Sequence, residues 1–277
     1  MNFQSLILEL SRFWAREGCL IVQPCDLELG AGVFSPAVFF GALSPAPAAV
    51  ACVEPCRRPA DGRGGESPDR LGKYHRFRVM FKPAPADIAE RFLRSFKALG
   101  LDRRGHDLRW IDDDWESAVL GASGSGWQVR LDGLEVARFT YLQALGSRPL
   151  APVPVAIGYG LERLALRLQR KKSVFELDYS DRVTYGDLHL LGERQSFLGR
   201  FEEVDPAPIR RRFDEAEAEG ERLAGLGLAL PAYERVARLA HLLDLLDAAG
   251  ALPAAEREGL ALRIRGLAVK SAGQGPR

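Results

Sequence analysis

The chain has 277 residues, of which 47% are hydrophobic, 27% are charged and 9% are aromatic. This composition excludes a small disulfide scaffold, a coiled coil, a collagen and a disordered chain, and the length predicts one large domain or a domain with a smaller appendage. Lys and Arg number 38 against 37 Asp and Glu, so the formal net charge is only +1. No global field would draw the protein to nucleic acid or to an anionic membrane, and any polyanion has to be bound locally.

The N-terminal part of the chain carries the signals that bear on compartment and on metal binding. No residue between Glu28 and Glu54 is charged, but prolines and glycines interrupt this segment, which indicates buried core and loop rather than a membrane span. The first residues lack the basic segment and the cleavage site of a signal peptide, so we expect a cytoplasmic protein. No histidine lies at zinc-finger spacing from the cysteines, which favours buried free thiols over a structural zinc site. The cysteines are Cys19, Cys25, Cys52 and Cys56.

Periodicity and turn signals predict the elements of the first half of the chain. Asn2 can cap a helix whose apolar residues recur at 3.6-residue spacing, and Gly18 can end it. Ser35-Pro36 predicts the start of a second, short helix. Strands are expected at 19–23, 48–56 and 74–82, and a further helix over 88–99 should end at Gly100.

The second half begins with a hairpin and ends in helices. Asp132-Gly133 predicts a tight turn between antiparallel strands at 127–131 and 134–142. A strand at 153–157 should run into a helix over 161–169. From about residue 202 the composition shifts to Ala, Leu, Arg and Glu, with helical periods at 207–224, 232–248 and 254–270. We therefore predict an α+β fold, with an antiparallel sheet covered by helices over residues 1–200 and a C-terminal helical domain over 201–277.

The densest local positive charge lies in a loop with several glycines. Arg57, Arg58, Arg63 and Arg70 fall within this loop. Guanidinium forks suit bidentate phosphate contacts, and the glycines would let the backbone approach a ligand closely. Taken alone, a solvated arginine-rich turn and a phosphate clamp explain the loop equally well.

Two further segments carry candidate chemistry. Residues 158–163 (GYGLER) lie where an apolar strand meets a helix, but they lack the dinucleotide fingerprint and the P-loop lysine, so packing glycines and a surface ion pair are the alternative. Residues 112–116 hold four acids beside Trp115. Such a run can bind Mg²⁺ or an ammonium group, although most acidic runs are solvated loops.

The combination of these motifs is more specific than any one of them. In chain order they are NFQSLI at 2–7, FW at 13–14, QPCDLE at 23–28, GAG at 30–32, the arginine loop at 57–70, DDDWES at 112–117, FTY at 139–141 and YGLER at 159–163. Together they resemble the α subunit of bacterial glycyl-tRNA synthetase. The resemblance runs from residue 1 to about 268, weakens after 190 and returns at 262–268.

This resemblance implies the class II synthetase core, which binds ATP with Mg²⁺ and forms an aminoacyl adenylate. Arg57 then matches the arginine that bridges the α-phosphate and the substrate carboxylate, Phe77 the aromatic that stacks on adenine, and Arg163 the arginine on the γ-phosphate. The expected ATP site also includes Arg58, Arg63, Arg70 and Glu162. The expected amino-acid pocket includes Glu116, Gln128, Thr140, Gln143, Ala156 and Gly158. The resemblance does not indicate which residues bind the Mg²⁺ ion.

The resemblance also implies partners. The family's α subunit works as a homodimer within an α2β2 heterotetramer, and the larger β subunit supplies much of the tRNA binding. A net charge of only +1 is consistent with tRNA binding by the other subunit. We expect no membrane partner.

Several positions depart from the family. Glutamate is usual where Gln128 and Ala156 stand, threonine where Gly158 stands, and a polar amide where Arg138 stands. Tryptophan is usual at 123 and 130, and an aromatic residue at 64. A buried ammonium without its carboxylates costs several kcal/mol, so altered glycine recognition is expected.

Two hypotheses follow for the activity. In the first, the chain is a glycine–tRNA ligase α subunit in which Asp113, Asp114 or Glu116 binds the ammonium of glycine. In the second, it is a paralogue that adenylates another small amino or carboxylic acid, or a non-catalytic protein that retains the fold.

Overall fold

A computed structural model describes residues 1–30, 32–59, 64–101 and 105–274. The described residues form one nine-stranded sheet and eight α-helices. The helices are α1 (Phe3–Arg16), α2 (Pro36–Leu43), α3 (Ile88–Ala98), α4 (Leu161–Gln169), α5 (Tyr185–Phe197), α6 (Pro206–Gly225), α7 (Ala229–Ala248) and α8 (Ala254–Gly273). The strands are β1 (Leu20–Ile21), β2 (Leu29–Gly30), β3 (Ala48–Arg57), β4 (Lys73–Lys82), β5 (Leu108–Ser117), β6 (Ala122–Leu131), β7 (Leu134–Leu145), β8 (Arg148–Pro149) and β9 (Val155–Gly160). The predicted site residue Arg63 lies outside the described residues.

The sheet is mixed rather than purely antiparallel. Its strand order is β1-β3-β4-β9-β7-β6-β5, with β2 beside β3 and β8 beside β7. The long strands pair antiparallel, as predicted, whereas the two short strands β1 and β2 pair with β3 in parallel. Strands of two residues carry too little periodicity to reveal their direction in the sequence. The predicted α+β class, a sheet flanked by helices, is confirmed.

The predicted hairpin joins β6 and β7. Asp132 has φ 50° and Gly133 has φ 82°, the left-handed values that the favoured two-residue turn requires. The acidic run is not a loop, as most such runs are, because residues 108–117 form the edge strand β5, which pairs only with β6. An edge strand tolerates charge since one side of it faces water.

One face of the sheet is covered by α1, α3 and α4 around an aromatic core. Phe92 of α3 stacks on Tyr159 of β9 with ring centroids 5.3 Å apart. The Tyr159 hydroxyl is satisfied by Ser95 Oγ at 2.7 Å. The apolar stripe of α1 packs here as its period predicts, and Asn2 Oδ1 accepts from the backbone N–H of Ser5 at 3.0 Å to cap it.

The opposite face is covered by α2 and by the C-terminal helices α6, α7 and α8. Tyr233 of α7 stacks on Phe39 of α2 at 3.8 Å and donates its hydroxyl to the Phe34 carbonyl at 2.7 Å. The same hydrophobic cluster includes Leu142 and Ala156 of the sheet. The C-terminal segment is therefore helical, as predicted, and its core is continuous with that of the sheet. The predicted division into domains at residue 200 stays a prediction.

The apolar N-terminal third of the chain is packed into these layers. Cys19, Cys52 and Cys56 are buried and Cys25 is half-buried, all as free thiols. Burial raises the pKa of the Cys19 thiol to about 12, which makes it unreactive at neutral pH. None of the helices in the described part of the chain is long and apolar enough to cross a membrane.

Candidate active site

Strand alternation brings one set of side chains together as the floor of a cavity. Tyr74, Arg76 and Arg78 occupy alternate positions of β4 and therefore share one face of the sheet. Register places Gly158 of β9 directly between Arg78 of β4 and Arg138 of β7. The floor is thus built from three adjacent central strands, which hold its side chains in fixed positions.

Four guanidinium groups line a cavity of about 530 Å³ on this floor, which we call the arginine cavity. Its polar and aromatic lining residues are Arg58, Asp69, Tyr74, Arg76, Glu135, Arg138, Glu162 and Arg163. A larger cavity of about 1340 Å³ shares several of these residues and adds Arg70, Glu116, Asp244 and Arg257. Four arginines against the three carboxylates of Asp69, Glu135 and Glu162 give the lining an excess of positive charge, which suits a polyanion.

Arg163 enters the arginine cavity from the first turn of α4. Its Nε donates to the Asp69 carbonyl at 3.4 Å, and its Nη1 donates to the Glu135 carbonyl at 3.5 Å. The carboxylates of the same two residues lie 3.6 and 3.7 Å from the guanidinium. These contacts fix the guanidinium at the cavity wall, where the sequence predicts a phosphate-binding group.

Glu162, also predicted in the ATP site, points mainly into the protein. Its Oε1 accepts from the backbone N–H of His75 at 2.7 Å and from the Tyr185 hydroxyl at 2.7 Å. The ring Nδ1 of His75 lies 2.9 Å from the same oxygen. Glu162 therefore ties β4, α4 and α5 together beneath the cavity and positions its neighbour Arg163.

Phe77, which the sequence predicts at the nucleotide, lies away from the arginine cavity. Phe77 is fully buried against Tyr159 on the face of the sheet that α1, α3 and α4 cover, and it is not among the residues that line the arginine cavity. Tyr74, which the sequence analysis did not single out, is the aromatic residue of that cavity, and the guanidinium carbon of Arg58 lies 4.5 Å from its ring centre.

Arg57 and Arg58 diverge at the end of β3. The Arg57 guanidinium lies 3.9 Å from Glu28 Oε1, whereas Arg58 lines the arginine cavity. Arg70 lines the larger cavity. Of the predicted arginines, Arg58, Arg70 and Arg163 are brought together, and Arg57 lies to one side.

A third cavity of about 370 Å³ opens beside the arginine cavity, and we call it the deep pocket. It is lined by Gly32, Phe34, Arg76, Arg78, Trp115, Arg138, Thr140, Leu142, Ala156 and Gly158. Three residues predicted in the amino-acid pocket, Thr140, Ala156 and Gly158, line this cavity.

The other predicted pocket residues lie around or away from the deep pocket. Gln128 donates through Nε2 to Asp113 Oδ1 at 3.1 Å, at the pocket's edge. Glu116 is exposed and lines the larger cavity. Gln143 is exposed and donates to Ser125 Oγ at 3.3 Å, outside the deep pocket.

Helix α5, which the sequence analysis did not predict, contacts the C-terminal end of the arginine loop. Glu193 of α5 accepts from the backbone N–H groups of Gly72 and Lys73 at the end of the loop. A Cβ atom at Gly64 would lie 2.8 Å from Cγ of Phe197, and Gly64 has φ +50°. The ring of Phe197 thus occupies the space of a side chain at 64, so glycine fits there and a larger residue would clash.

Asp244 of α7 supports a prediction about stability and pH. Burial raises the pKa of its carboxyl to about 6, with Arg257 partly opposing the shift. Because the folded pKa exceeds the unfolded value of about 4, the ionised group destabilises the folded state above pH 6, by up to roughly 3 kcal/mol. This penalty disappears as pH falls below 4.

Asp244→Asn should therefore raise the thermal midpoint at pH 7.5 and change it little at pH 4. Asp214→Asn, at an exposed ion pair, is the control and should show no such gain. An equal effect of Asp244→Asn at both pH values would contradict the assignment.

Comparisons with known proteins show which family this chain resembles. The family model of the glycyl-tRNA synthetase alpha subunit matches residues 3–274. A glycine–tRNA ligase alpha subunit of Coprothermobacter proteolyticus is 47% identical over 274 residues, which are 99% of this chain and 94% of that protein. Two solved structures of pyrrolysyl-tRNA synthetase from Desulfitobacterium hafniense cover 66% of this chain and 72% and 75% of their own, with a TM-score of 0.46 and 14% identity.

The family model and the 47% identical relative place the chain among the aminoacyl-tRNA synthetases. Within that class, the chain belongs to the glycyl-tRNA synthetase alpha subunit family. The family predicted from the sequence motifs, and with it the ligase class, is confirmed.

Proposed function

We propose that this chain is the catalytic α subunit of a glycine–tRNA ligase, which activates glycine with ATP and transfers it to tRNA. The observation that carries the proposal is the family match over residues 3–274, which spans every element that lines the arginine cavity. The relative named for this activity is 47% identical along nearly the whole chain.

The chemistry needs positioned positive charge rather than a protein nucleophile. A carboxylate oxygen of the amino acid attacks the α-phosphorus of ATP, the bond to pyrophosphate breaks, and an acyl adenylate forms. The tRNA hydroxyl then attacks the carbonyl carbon and AMP leaves. Fixed guanidinium groups stabilise the charge that develops in the in-line displacement. Arg163 would bind the terminal phosphate, and Arg58, with Arg57 close by, would bind the α-phosphate.

The base of ATP needs a flat apolar surface. Tyr74 offers one in the arginine cavity, and base–aromatic stacking is worth about 1–3 kcal/mol. We therefore assign adenine stacking to Tyr74 in place of Phe77.

The cavity also suits Mg²⁺, which reactions of this class use to neutralise pyrophosphate. Mg²⁺ is commonly held by one or two carboxylates together with substrate phosphates. Asp69 and Glu135 supply two carboxylates on the cavity wall beside Arg163. These two residues would hold the ion.

Partners follow from the family. We propose that the chain forms a homodimer within an α2β2 heterotetramer, that a separate β subunit supplies most of the tRNA binding, and that the complex works in the cytoplasm. The near-neutral charge of this chain supports tRNA binding by another subunit.

The test is charging by the reconstituted complex. The chain mixed with its β subunit, glycine, ATP and the cognate tRNA should form glycyl-tRNA, and the chain alone should at most exchange pyrophosphate into ATP. Light scattering should show a dimer alone and a larger complex with the β subunit. ATP binding without glycine exchange or charging, with the β subunit present, would rule out glycine as the substrate.

A specific observation favours a second candidate, the adenylation of another small amino or carboxylic acid. Ala156 and Gly158 leave the deep pocket without a carboxylate, and Gln128 is a neutral amide at its edge. A glycine ammonium bound there would lack the carboxylate partner that a desolvated cation requires.

A further inference from the structure

Helix α5 buries two side chains, and each of them ends in a polar group. All 13 residues of the helix lie in the described part of the chain, and among them only Tyr185 and Glu193 are buried. Tyr185 is fully buried and Glu193 is 7% exposed. A buried carboxylate is costly unless it is hydrogen-bonded, so the contacts of these two side chains explain why the helix packs where it does.

Tyr185 contacts the beginning of α4. Its hydroxyl donates to Glu162 Oε1 at 2.7 Å, and the backbone N–H of His75 donates to the same oxygen at 2.7 Å. Burial raises the pKa of the Tyr185 hydroxyl well above its usual value, so the group stays protonated and remains a donor. Glu162 directly precedes Arg163 in the first turn of α4. The Tyr185 hydroxyl therefore helps to fix the backbone from which Arg163 enters the arginine cavity.

Glu193 contacts the base of the arginine loop. Its carboxylate accepts from the backbone N–H of Gly72 and, at 3.3 Å, from that of Lys73. The Gly72 carbonyl in turn accepts from the backbone N–H of Arg58 at 2.7 Å. A Cβ atom at 72 would lie 3.1 Å from Glu193 Oε1, so the glycine allows the carboxylate to come this close. Glu193 therefore fixes the backbone that carries Arg58 into the arginine cavity.

The two contacts matter together because Arg58 and Arg163 have to meet one triphosphate. Arg58 follows β3 and Arg163 lies in α4, so they belong to different parts of the fold. Tyr185 and Glu193 lie about 12 Å apart along one helix, and each is bonded to the backbone next to one of these arginines or to its neighbour. The helix thus sets the spacing between the two guanidinium groups. Catalytic groups misplaced by about 1 Å can slow a reaction about 10²-fold.

We propose that Tyr185 and Glu193 are positioning residues for adenylation, through which α5 keeps Arg163 and the arginine loop at the spacing that the phosphates of ATP require. The inference rests on the ATP site proposed above. Neither residue is among the described residues that line the arginine cavity or the larger cavity. Each acts through its neighbours, Tyr185 through Glu162 and Glu193 through the backbone at the base of the loop.

The first variant is Tyr185→Phe, which removes the hydroxyl and keeps the ring beside Phe3 and His189. In ATP–pyrophosphate exchange with glycine, on the full chain with its β subunit, kcat/KM for ATP should fall about tenfold to a hundredfold, and KM for glycine should stay within about twofold. Tyr179→Phe is the matched control, because Tyr179 stacks on Phe3 in the same aromatic cluster and makes no hydrogen bond to Glu162 within the described structure. It should behave as the wild type.

The second variant is Glu193→Ala, which should lower kcat/KM for ATP by a similar factor. Glu193→Gln keeps one carbonyl oxygen that can accept a hydrogen bond, so it should recover part of the loss. Gln195→Ala, at an exposed position of the same helix, is the control and should have no effect. Tyr185→Phe and Glu193→Gln change so few atoms that they keep the test decisive if Glu193→Ala does not fold.

Thermal stabilisation by nucleotides separates the two residues without turnover. Arg163 is proposed at the terminal phosphate and Arg58 at the α-phosphate. Tyr185→Phe should therefore weaken stabilisation by ATP and leave that by AMP unchanged, whereas Glu193→Ala should weaken both.

A helix that only supports the fold would give a different result. Both variants would then lower the midpoint without nucleotide, and kcat/KM for ATP and the shifts by ATP and AMP would equal those of the wild type, which would overturn the inference. If Arg163→Ala removes the ATP shift in the same experiment, the proposed function stands and the inference alone fails. If Arg163→Ala also leaves the ATP shift unchanged, the proposed ATP site itself is wrong.

Discussion

Replacing Arg163 with alanine should remove ATP-dependent adenylation. The guanidinium is fixed by two carbonyls in the wall of the arginine cavity, so it meets a phosphate without having to reorganise. Loss of one preorganised donor typically costs about 10²-fold to 10³-fold in rate. Pyrophosphate exchange should fall by at least that much, and ATP should no longer raise the thermal midpoint of the variant, because stabilisation follows binding to the native state.

The matched control for Arg163→Ala is Arg167→Ala, one turn further along α4. Arg167 donates to the Asp132 carbonyl at 3.1 Å, at the hairpin turn rather than in the arginine cavity. It should keep both exchange and ATP stabilisation. If ATP raises the thermal midpoints of the wild type and of Arg163→Ala equally, Arg163 does not bind the nucleotide.

The residues of β4 show how far the sequence could locate the site. Alternation along this strand predicts His75, Phe77, Val79 and Phe81 on one face, and the structure buries the last three against the helices. The same alternation assigns Tyr74 and its i+2 neighbours to the other face, which is the cavity floor. Only the packing shows which of these two faces of β4 lines the cavity, and the role of Phe77 at the nucleotide stays a prediction.

Helix α5 and strand β5 lack the periodic apolar residues from which the sequence predicts helices and strands. Helix α5 buries only Tyr185 and Glu193, so no 3.6-residue pattern marks it. Its one local signal is the capping box of Thr184 and Asp187, which is weak evidence without periodicity. The edge strand β5 was equally hidden, because acidic residues are depleted in strands and favour a loop interpretation.

The charge of the deep pocket could not be deduced from composition. Arg76 and Arg138 are 62 positions apart in the chain and meet only because β9 pairs with both β4 and β7. The sequence showed that Ala156 and Gly158 had lost polar groups. It did not show that Arg76, Arg78 and Arg138 surround the vacated space.

The ion pair beneath this pocket supports the last prediction, which concerns stability. The Glu54 side chain is fully buried and accepts from Arg78, whose side chain is 5% exposed. Arg78 also donates to the Val33 carbonyl at 3.4 Å and lies over the Phe34 ring. Removing one partner of a buried pair typically costs about 3–5 kcal/mol, because the other charge stays buried without compensation.

Glu54→Ala should therefore lower the free energy of unfolding by about 3–5 kcal/mol in urea titrations. The double variant Glu54→Leu/Arg78→Met should recover most of that loss, since apolar residues of similar volume replace a buried pair at little cost. Glu219→Ala, which breaks an exposed pair with Arg222, is the control and should leave the urea midpoint unchanged. A double variant as unstable as Glu54→Ala would mean that the loss comes from packing around Glu54 rather than from an orphaned guanidinium. In that case the stability of the fold does not depend on Glu54 neutralising the buried charge of Arg78.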